Sequence, residues 1–342
     1  MSVTFEREAL LRQLEIISPG ISNKDIVEQS SCVVFRDGYA MSFNDEVSCR
    51  VASDIELSGA IHAQTLIECL RKLKEDVLQI EEEDTQIIIK GKNKRIGVAR
   101  NNEILLNTDA VGFPQGWSRL PDDFSDAIEM VVPCAGKDQH KFATTMVHMT
   151  QKYVEATDSL QIGRYYIDMP FDEDTKILIR ASTLKMAIPF GFTKISFSDS
   201  WVHLRNNALG MFMSLRQYEN EVFPSTDVYM SQKGVAVDLP RVLADAADLA
   251  EVFSQQNPDK NEITIKLKDG RIIVRGEGVS GWSEEKRKIK YSGPDMEFRT
   301  VPKLLKAIVT QHNKCHICDS VLRVKGDKYT YVSALSKRNE EK

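Results

Sequence analysis

The sequence predicts an α+β chain made of three tandem copies of one two-helix, sheet-backed unit. A helix-spaced apolar segment recurs at domain-sized intervals, two alternating strand-like runs follow each occurrence, and Asp-Gly turns separate a strand pair in copies one and three, where copy two has Thr150-Gln151-Lys152. The helix segment reads Ile61-His-Ala-Gln-Thr-Leu-Ile-Glu-Cys-Leu, then Ile179-Arg-Ala-Ser-Thr-Leu-Lys-Met-Ala-Ile, then Arg299-Thr-Val-Pro-Lys-Leu-Leu-Lys-Ala-Ile. Its central leucines, Leu66, Leu184 and Leu304, lie 184 − 66 = 118 and 304 − 184 = 120 residues apart.

Taken in order, the first unit opens with a helix over Arg7 to Ile17, because Leu10, Leu14 and Ile17 share one face. Strand-like runs follow at Cys32 to Phe35 and Ala40 to Arg50, with Asp37-Gly38 between them as a hairpin turn. After the Leu66 helix come Val77-Leu-Gln-Ile and Gln86-Ile-Ile-Ile. The second unit repeats the scheme with runs at Phe142 to Met149 and Tyr153 to Tyr166, then Lys194-Ile-Ser-Phe and Trp201-Val-His-Leu after its Leu184 helix. Its first helix carries Asp126 and Glu129, and Pro133 is expected to end it early. The third unit has a helix over Leu239 to Phe253, strands at Ile263 to Leu267 and Arg271 to Gly276 around Asp269-Gly270, and the runs Cys315-His-Ile-Cys and Val321-Leu-Arg-Val. Pro- and Gly-containing stretches near 112–125 and 223–240 mark the boundaries, giving expected domains at 1–120, 121–228 and 229–342.

Composition narrows the function. With 42% hydrophobic residues over 342 positions the chain can bury real cores, and its apolar runs are far shorter than the ~20 residues that span a bilayer. The opening Met-Ser-Val-Thr-Phe-Glu-Arg-Glu has no basic-then-apolar signal pattern, so a cytoplasmic location is expected. Six scattered cysteines fit free thiols in a reducing compartment rather than a disulfide framework. A net charge of −5 argues against coating nucleic acid by bulk attraction, so any DNA contact must use local basic faces.

Four segments carry a resemblance: Phe5-Glu-Arg-Glu-Ala-Leu-Leu, Glu155-Ala-Thr-Asp-Ser-Leu-Gln, Glu221-Val-Phe-Pro and Tyr291-Ser-Gly-Pro-Asp-Met-Glu. In order and spacing the chain resembles the bacterial DNA polymerase III β subunit, the DNA sliding clamp. The resemblance implies the DNA clamp fold, with helices lining a ring that two three-domain chains close as a homodimer. It also implies a processivity factor, with no cofactor and no catalysis, that encircles duplex DNA without reading sequence. Its partners would be a DNA polymerase, an ATP-dependent clamp loader and other proteins bearing clamp-binding motifs.

The channel cations that this implies are Arg71 and Lys72, Lys185, Lys303 and Lys306 on the second helices, with Lys24 in the turn after the first helix. Acidic residues Asp245, Asp248 and Glu251 on the third unit's first helix work against them. The implied peptide cleft takes Thr157, Asp158, Ser159, Leu160, Gln161 and Ile162 from the second unit and Pro224, Val228 and Tyr229 from the boundary. Val321, Arg323, Val332, Ser333, Ala334 and Leu335 complete it. The implied dimer surfaces are a strand at Ile104-Leu105-Leu106 and the helix end at Val252-Phe253, both apolar as an obligate interface requires.

The chain departs from the family where the cleft is built: Leu160-Gln-Ile and Ala334-Leu-Ser replace the usual His-Arg-Leu and the Met-Pro-Met-Arg-Leu terminus, and a charged tail through Lys337-Arg-Asn-Glu-Glu-Lys follows. Such departures are expected of a divergent member, such as one that a phage encodes for its own polymerase. An alternative reading is a clamp-fold interaction protein that binds the same peptides without encircling DNA.

Other signals are set aside on chemical grounds. Cys315-His-Ile-Cys lacks a second ligand pair for zinc, and a strand would point Cys315 and Cys318 to opposite faces. His148 and His203 sit alone in strand patterns without a nucleophile. Phe171-Asp-Glu-Asp-Thr lacks the Gly and Glu of a calcium loop, and Gly276-Glu-Gly-Val-Ser-Gly opens no helix that could cradle phosphate.

Overall fold

The computed structural model describes residues 2–53, 55–112, 114, 116–256, 261–291, 293–311 and 314–335. The charged tail Lys337-Arg-Asn-Glu-Glu-Lys lies outside the described residues.

The first repeat begins with β1 (Ser2–Glu6) and α1 (Arg7–Ile17), followed by β2 (Cys32–Arg36), β3 (Tyr39–Phe43) and β4 (Val47–Ala52). It continues through β5 (Gly59–His62), α2 (Ala63–Lys72), β6 (Val77–Glu82), β7 (Gln86–Lys90) and β8 (Arg95–Asn101). The second holds β9 (Ser118–Arg119), α3 (Phe124–Val131), β10 (Met146–Met149), β11 (Tyr153–Thr157) and β12 (Gln161–Tyr166). Then come β13 (Ile177–Arg180), α4 (Ala181–Ala187), β14 (Lys194–Ser198), β15 (Trp201–Asn206) and β16 (Met211–Arg216). The third contains α5 (Asp227–Met230), β17 (Val235–Asp238), α6 (Leu243–Ser254), β18 (Ile263–Lys268), β19 (Arg271–Gly278) and β20 (Gly281–Lys288). It closes with β21 (Met296–Thr300), α7 (Pro302–Gln311), β22 (Lys314–Ile317), β23 (Val321–Lys325) and β24 (Tyr329–Ala334).

Two compact units emerge. One comprises residues up to 129 with 148–152 and 168–221; the other comprises 130–147, 153–167 and the residues from 222 onward. The first unit holds a twelve-stranded sheet in the order β1-β6-β7-β8-β5-β2-β3-β4-β16-β15-β14-β9. α1 packs on the β3–β4 face, where Val47, Cys49 and Val51 are buried, so period-two alternation sends Ser48 and Arg50 to the opposite face. The second unit carries the run β11-β12-β24-β23-β22-β17 and a four-stranded sheet, β20-β19-β18-β21. α6 lies so close to β19 that a Cβ at Gly276 or Gly278 would collide with the carbonyls of Ala250 and Phe253.

Helical periodicity located α1 to the residue, and both Asp-Gly hairpins form with positive φ at Asp37, Gly38, Asp269 and Gly270. Four expectations need correction. Ala40 to Arg50 is two strands, because Asn44 Oδ1 accepts from the Glu46 and Val47 amides and turns the chain at Asp45. Tyr153 to Tyr166 is likewise divided by a turn at 158–160. The stretch before Met146 is a 3₁₀ segment, Gln139–Thr145, rather than strand. Each recurrent helix segment opens inside or just after the preceding strand, with His62 capping α2 by accepting the Thr65 amide on Nδ1. Pro133 sits in a 3₁₀ turn directly after α3, as its missing N–H requires.

Candidate functional site

In the second unit, the β11–β12 turn is held by its own side chains. Asp158 Oδ1 accepts from the amides of Leu160 and Gln161, each at 2.8 Å, and Thr157 Oγ1 donates to the Gln161 carbonyl at 2.7 Å. Ser159 adopts φ +78°, a left-handed conformation that these bonds stabilise. The consequence is that Leu160 projects outward, 53% exposed.

Strand β12 pairs with β24, Gln161 opposite Ser333 and Ile162 opposite Val332. Ile162, Val321, Val332 and Cys318 form a buried cluster with Met230 against it. Over this floor the 224–229 segment closes a cavity of about 410 Å³, within the size range of ligand sites. Its lining comprises Thr157, Ser159, Leu160, Ile162, Pro224, Ser225, Thr226, Tyr229, Ser320, Val321, Val332 and Ala334.

A buried ionic network fastens the 224–229 segment. Arg164 Nε donates to Glu155 Oε2 at 2.9 Å, and its Nη2 donates to Thr226 Oγ1 and Asp227 Oδ1, each at 2.7 Å. Thr226 donates in turn to Glu155 Oε2 at 2.7 Å. The guanidinium stacks on the Tyr153 ring with 4.0 Å to the centroid. With Arg164 and Glu155 both buried, every removal that leaves one of them charged and unpaired is costly.

Of the fifteen cleft residues that the resemblance implied, nine line this cavity. Asp158 and Gln161 instead brace the turn, with Gln161 Nε2 on Asp158 Oδ2 at 2.9 Å and Tyr331 donating to Gln161 Oε1 at 2.8 Å. Val228 is exposed outside the lining, and Arg323 donates to the Met230 carbonyl at 3.0 Å. Ser333 is fully buried, while Leu335 is tied by its amide to Ser320 O. Sequence reasoning missed Ser225, Thr226 and Ser320 on the wall and Arg164 behind it. An arginine in the otherwise uncharged run Gln161-Ile-Gly-Arg-Tyr-Tyr was the available signal.

The six cations are exposed, but two are engaged. Arg71 reaches Glu15 Oε1 at 3.3 Å, and Lys306 Nζ lies 2.8 and 2.7 Å from the Asp248 carboxylate oxygens. Donating to that carboxylate raises the Lys306 pKa. Lys24, Lys72, Lys185 and Lys303 are exposed on their turn or helices.

The expected interface segments differ more. Ile104-Leu105-Leu106 is no strand: it follows β8 as irregular chain, held by Gln29 Oε1 accepting from the amides of Leu105 and Leu106. Leu106 belongs to the core with Phe43 and Trp201, leaving Leu105 exposed at 40% and Ile104 half-buried. Val252 is half exposed, and Phe253 packs its ring near Gly281.

Among the described residues no three His, Cys, Asp or Glu side chains are grouped to hold a metal. Burial pushes the Cys315 thiol up to about 12, and Cys318 lies beyond the end of β22. No described helix is long and apolar enough to cross a membrane.

Nearly the whole chain superposes on solved DNA polymerase III beta subunits. A putative DNA polymerase III beta subunit from Eubacterium rectale matches with TM-score 0.84 at 17% identity, covering 98% of this chain and 100% of that one. The chain has the sliding-clamp fold. The DNA polymerase III beta subunit from Thermotoga maritima gives TM-score 0.84 at 13% identity over 99% and 100% of the two chains. The beta chain from Streptococcus pneumoniae gives 0.85 at 17% over 98% and 99%. No family model and no curated protein matches the sequence. The clamp fold is thus shared at 13–17% identity, and these bacterial structures add nothing to the expectation of a phage source.

Proposed function

We propose that the protein is a DNA sliding clamp: a non-catalytic, cytoplasmic processivity factor that encircles duplex DNA as a homodimer. The observation that carries this reading is the clamp fold over 98% of the chain, joined to a partly apolar cavity at the place where the resemblance puts the partner-peptide cleft. The cavity suits an extended peptide with one or two apolar anchors, because Ile162, Val321 and Val332 give an apolar floor and the Ser225, Thr226 and Ser320 hydroxyls give fixed polar partners. Polymerase, loader and other motif-bearing proteins are the proposed partners, and ATP use belongs to the loader. The domain division at 1–120, 121–228 and 229–342 is part of the same proposal.

Light scattering after size-exclusion chromatography tests the dimer, and Leu105→Asp with Val252→Asp should give monomers. Salt-washed retention on circular against linearised plasmid, with the cognate loader and ATP, tests encirclement: topology survives screening and surface attraction does not. Equal loss from both templates would reject the ring. A second reading, a clamp-fold protein that binds peptides without enclosing DNA, is favoured by the engagement of Arg71 and Lys306 with Glu15 and Asp248 and by the burial of Leu106.

A further inference from the structure

The twelve-stranded sheet of the first unit carries a larger cavity, about 550 Å³, where β4 pairs with β16. Its position mirrors the cavity where β12 pairs with β24. The Ser48–Ser214 pair stands in the first floor where the Ile162–Val332 pair stands in the second. Each cavity is closed by the segment that follows one repeat, around Thr108-Asp109 in one case and Thr226-Asp227 in the other. The chemistry of the two differs.

Arg50 faces Met41 across β3–β4 and stacks on Tyr39 at 3.5 Å to the centroid, just as Arg164 faces Glu155 across β11–β12 and stacks on Tyr153. Arg164 is neutralised by Glu155 and Asp227 and donates a further hydrogen bond to Thr226. Arg50 has none of the three counterparts as a partner: Met41 stands where Glu155 stands beside Arg164, and Thr108 with Asp109 is taken by Arg36 at 3.1 and 2.9 Å. Among the described residues the Arg50 side chain makes no ion pair or hydrogen bond, and its buried Nε has no partner. A guanidinium held in place by a ring and given no anion is a fixed, vacant cation.

The rest of the lining limits what can fill it. Met41, Val111 and Phe212 supply apolar wall, and the Ser48 and Ser214 hydroxyls lie on the floor. Asp37 and Asp109 balance Arg36 and Arg50, so the lining is formally neutral and suits a monoanion better than a phosphate dianion. We propose that this cavity is a second binding site, for a peptide segment whose carboxylate pairs with Arg50 while a flanking apolar side chain lies against Met41 and Phe212. The choice of a peptide rests on the proposed function of the β12–β24 cavity; the preference for a carboxylate does not.

The test uses the full chain and two unlabelled pentapeptides read by isothermal titration calorimetry: acetyl-Gly-Phe-Asp-Phe-Gly-amide and its counterpart with Lys for Asp. The acidic peptide should bind at least ten-fold more tightly than the basic one. Arg50→Gln and Met41→Glu should each erase that preference, the latter by supplying the internal carboxylate that Glu155 gives Arg164. Leu160→Asp, in the other cavity, should leave the preference intact. Equal binding of the two peptides, or a preference that persists in both first-cavity variants, would overturn the proposal. Displacement of the acidic peptide by equimolar inorganic phosphate would reduce the site to a small-anion pocket and also overturn it. Loss of the preference with Leu160→Asp would move the peptide to the second cavity. If Arg50→Gln fails to fold, Met41→Glu, which keeps the arginine, decides the question. A missing acid preference alongside normal apolar-peptide binding at Leu160 defeats this inference alone; loss of both defeats the proposed function.

Discussion

Arg164 and Arg50 occupy the same place in successive repeats and live in opposite circumstances. Around Arg164 a buried carboxylate, a hydroxyl and a second carboxylate take Nε and Nη2, and the 224–229 segment is pinned as a result. Around Arg50 the ring remains and the anions are gone, while Arg36 does the pinning of the 108–109 segment instead. The difference teaches that two strand pairs can share one geometry while the charge inside is structural in one and available in the other. It also teaches that the fastening of the linker, not the identity of the arginine that fastens it, is what both junctions retain.

The comparison can be broken most directly by removing the carboxylate. Glu155→Met should destabilise the second unit by about 3–5 kcal/mol in urea unfolding, because Arg164 stays buried and loses its main anion. Arg50→Met should cost less than about 1 kcal/mol, since no ion pair is lost. Equal costs would show that the two arginines are equivalent after all. Next in size, Leu160→Asp should weaken a labelled apolar peptide, acetyl-Gly-Leu-Phe-Gly-amide, by ten-fold or more, with Val228→Asp within two-fold; a larger effect at Val228 would extend the site beyond the cavity.

The floors differ in how they respond to acid. His203 lies buried with Nε2 2.7 Å from Ser198 Oγ and Nδ1 2.8 Å from Ser214 Oγ, and burial pushes its pKa down to about 4. Between about pH 6.5, where an unfolded histidine titrates, and about 4, the unfolded chain binds a proton that the folded one refuses. Stability should therefore fall as pH drops through that window, by at most about 1.4 kcal/mol per pH unit, and level off below it. His203→Gln should remove this component of the slope in urea unfolding at pH 4.5 and 7, and an unchanged slope would place the protonation elsewhere. Smallest of all, Asp227→Asn should cost only about 0.5 kcal/mol, because that carboxylate is 73% exposed.

Helical periodicity made α1 and the repeat legible, since buried leucines at three- and four-residue spacing admit few other readings. The Asp-Gly hairpins were legible because the turn demands positive φ. Strand ends were not: Asn44 and Asp158 make turns through side-chain bonds that an apolar–polar pattern does not register. The cavity residues came largely by resemblance, and Thr226 and Arg164 escaped because a buried ion network is defined only by the fold. Arg50 escaped for a related reason. Reading Ala40 to Arg50 and Tyr153 to Tyr166 as single strands hid the fact that Tyr39 with Arg50 repeats as Tyr153 with Arg164.

Each junction joins strands made at very different times. Arg216 bonds to Asp45 across 171 residues of sequence, and Tyr331 to Gln161 across 170. At ~5–20 residues per second of synthesis, β12 waits roughly ten to thirty seconds for its neighbour to emerge, and β4 waits as long for β16. Throughout that interval each presents an unpaired row of amides and carbonyls beside apolar side chains, which another nascent copy could pair with as readily as the proper partner. Synthesis therefore competes with mispairing at two sheet edges, and a pause in translation before β16 or β24 would lengthen that exposure.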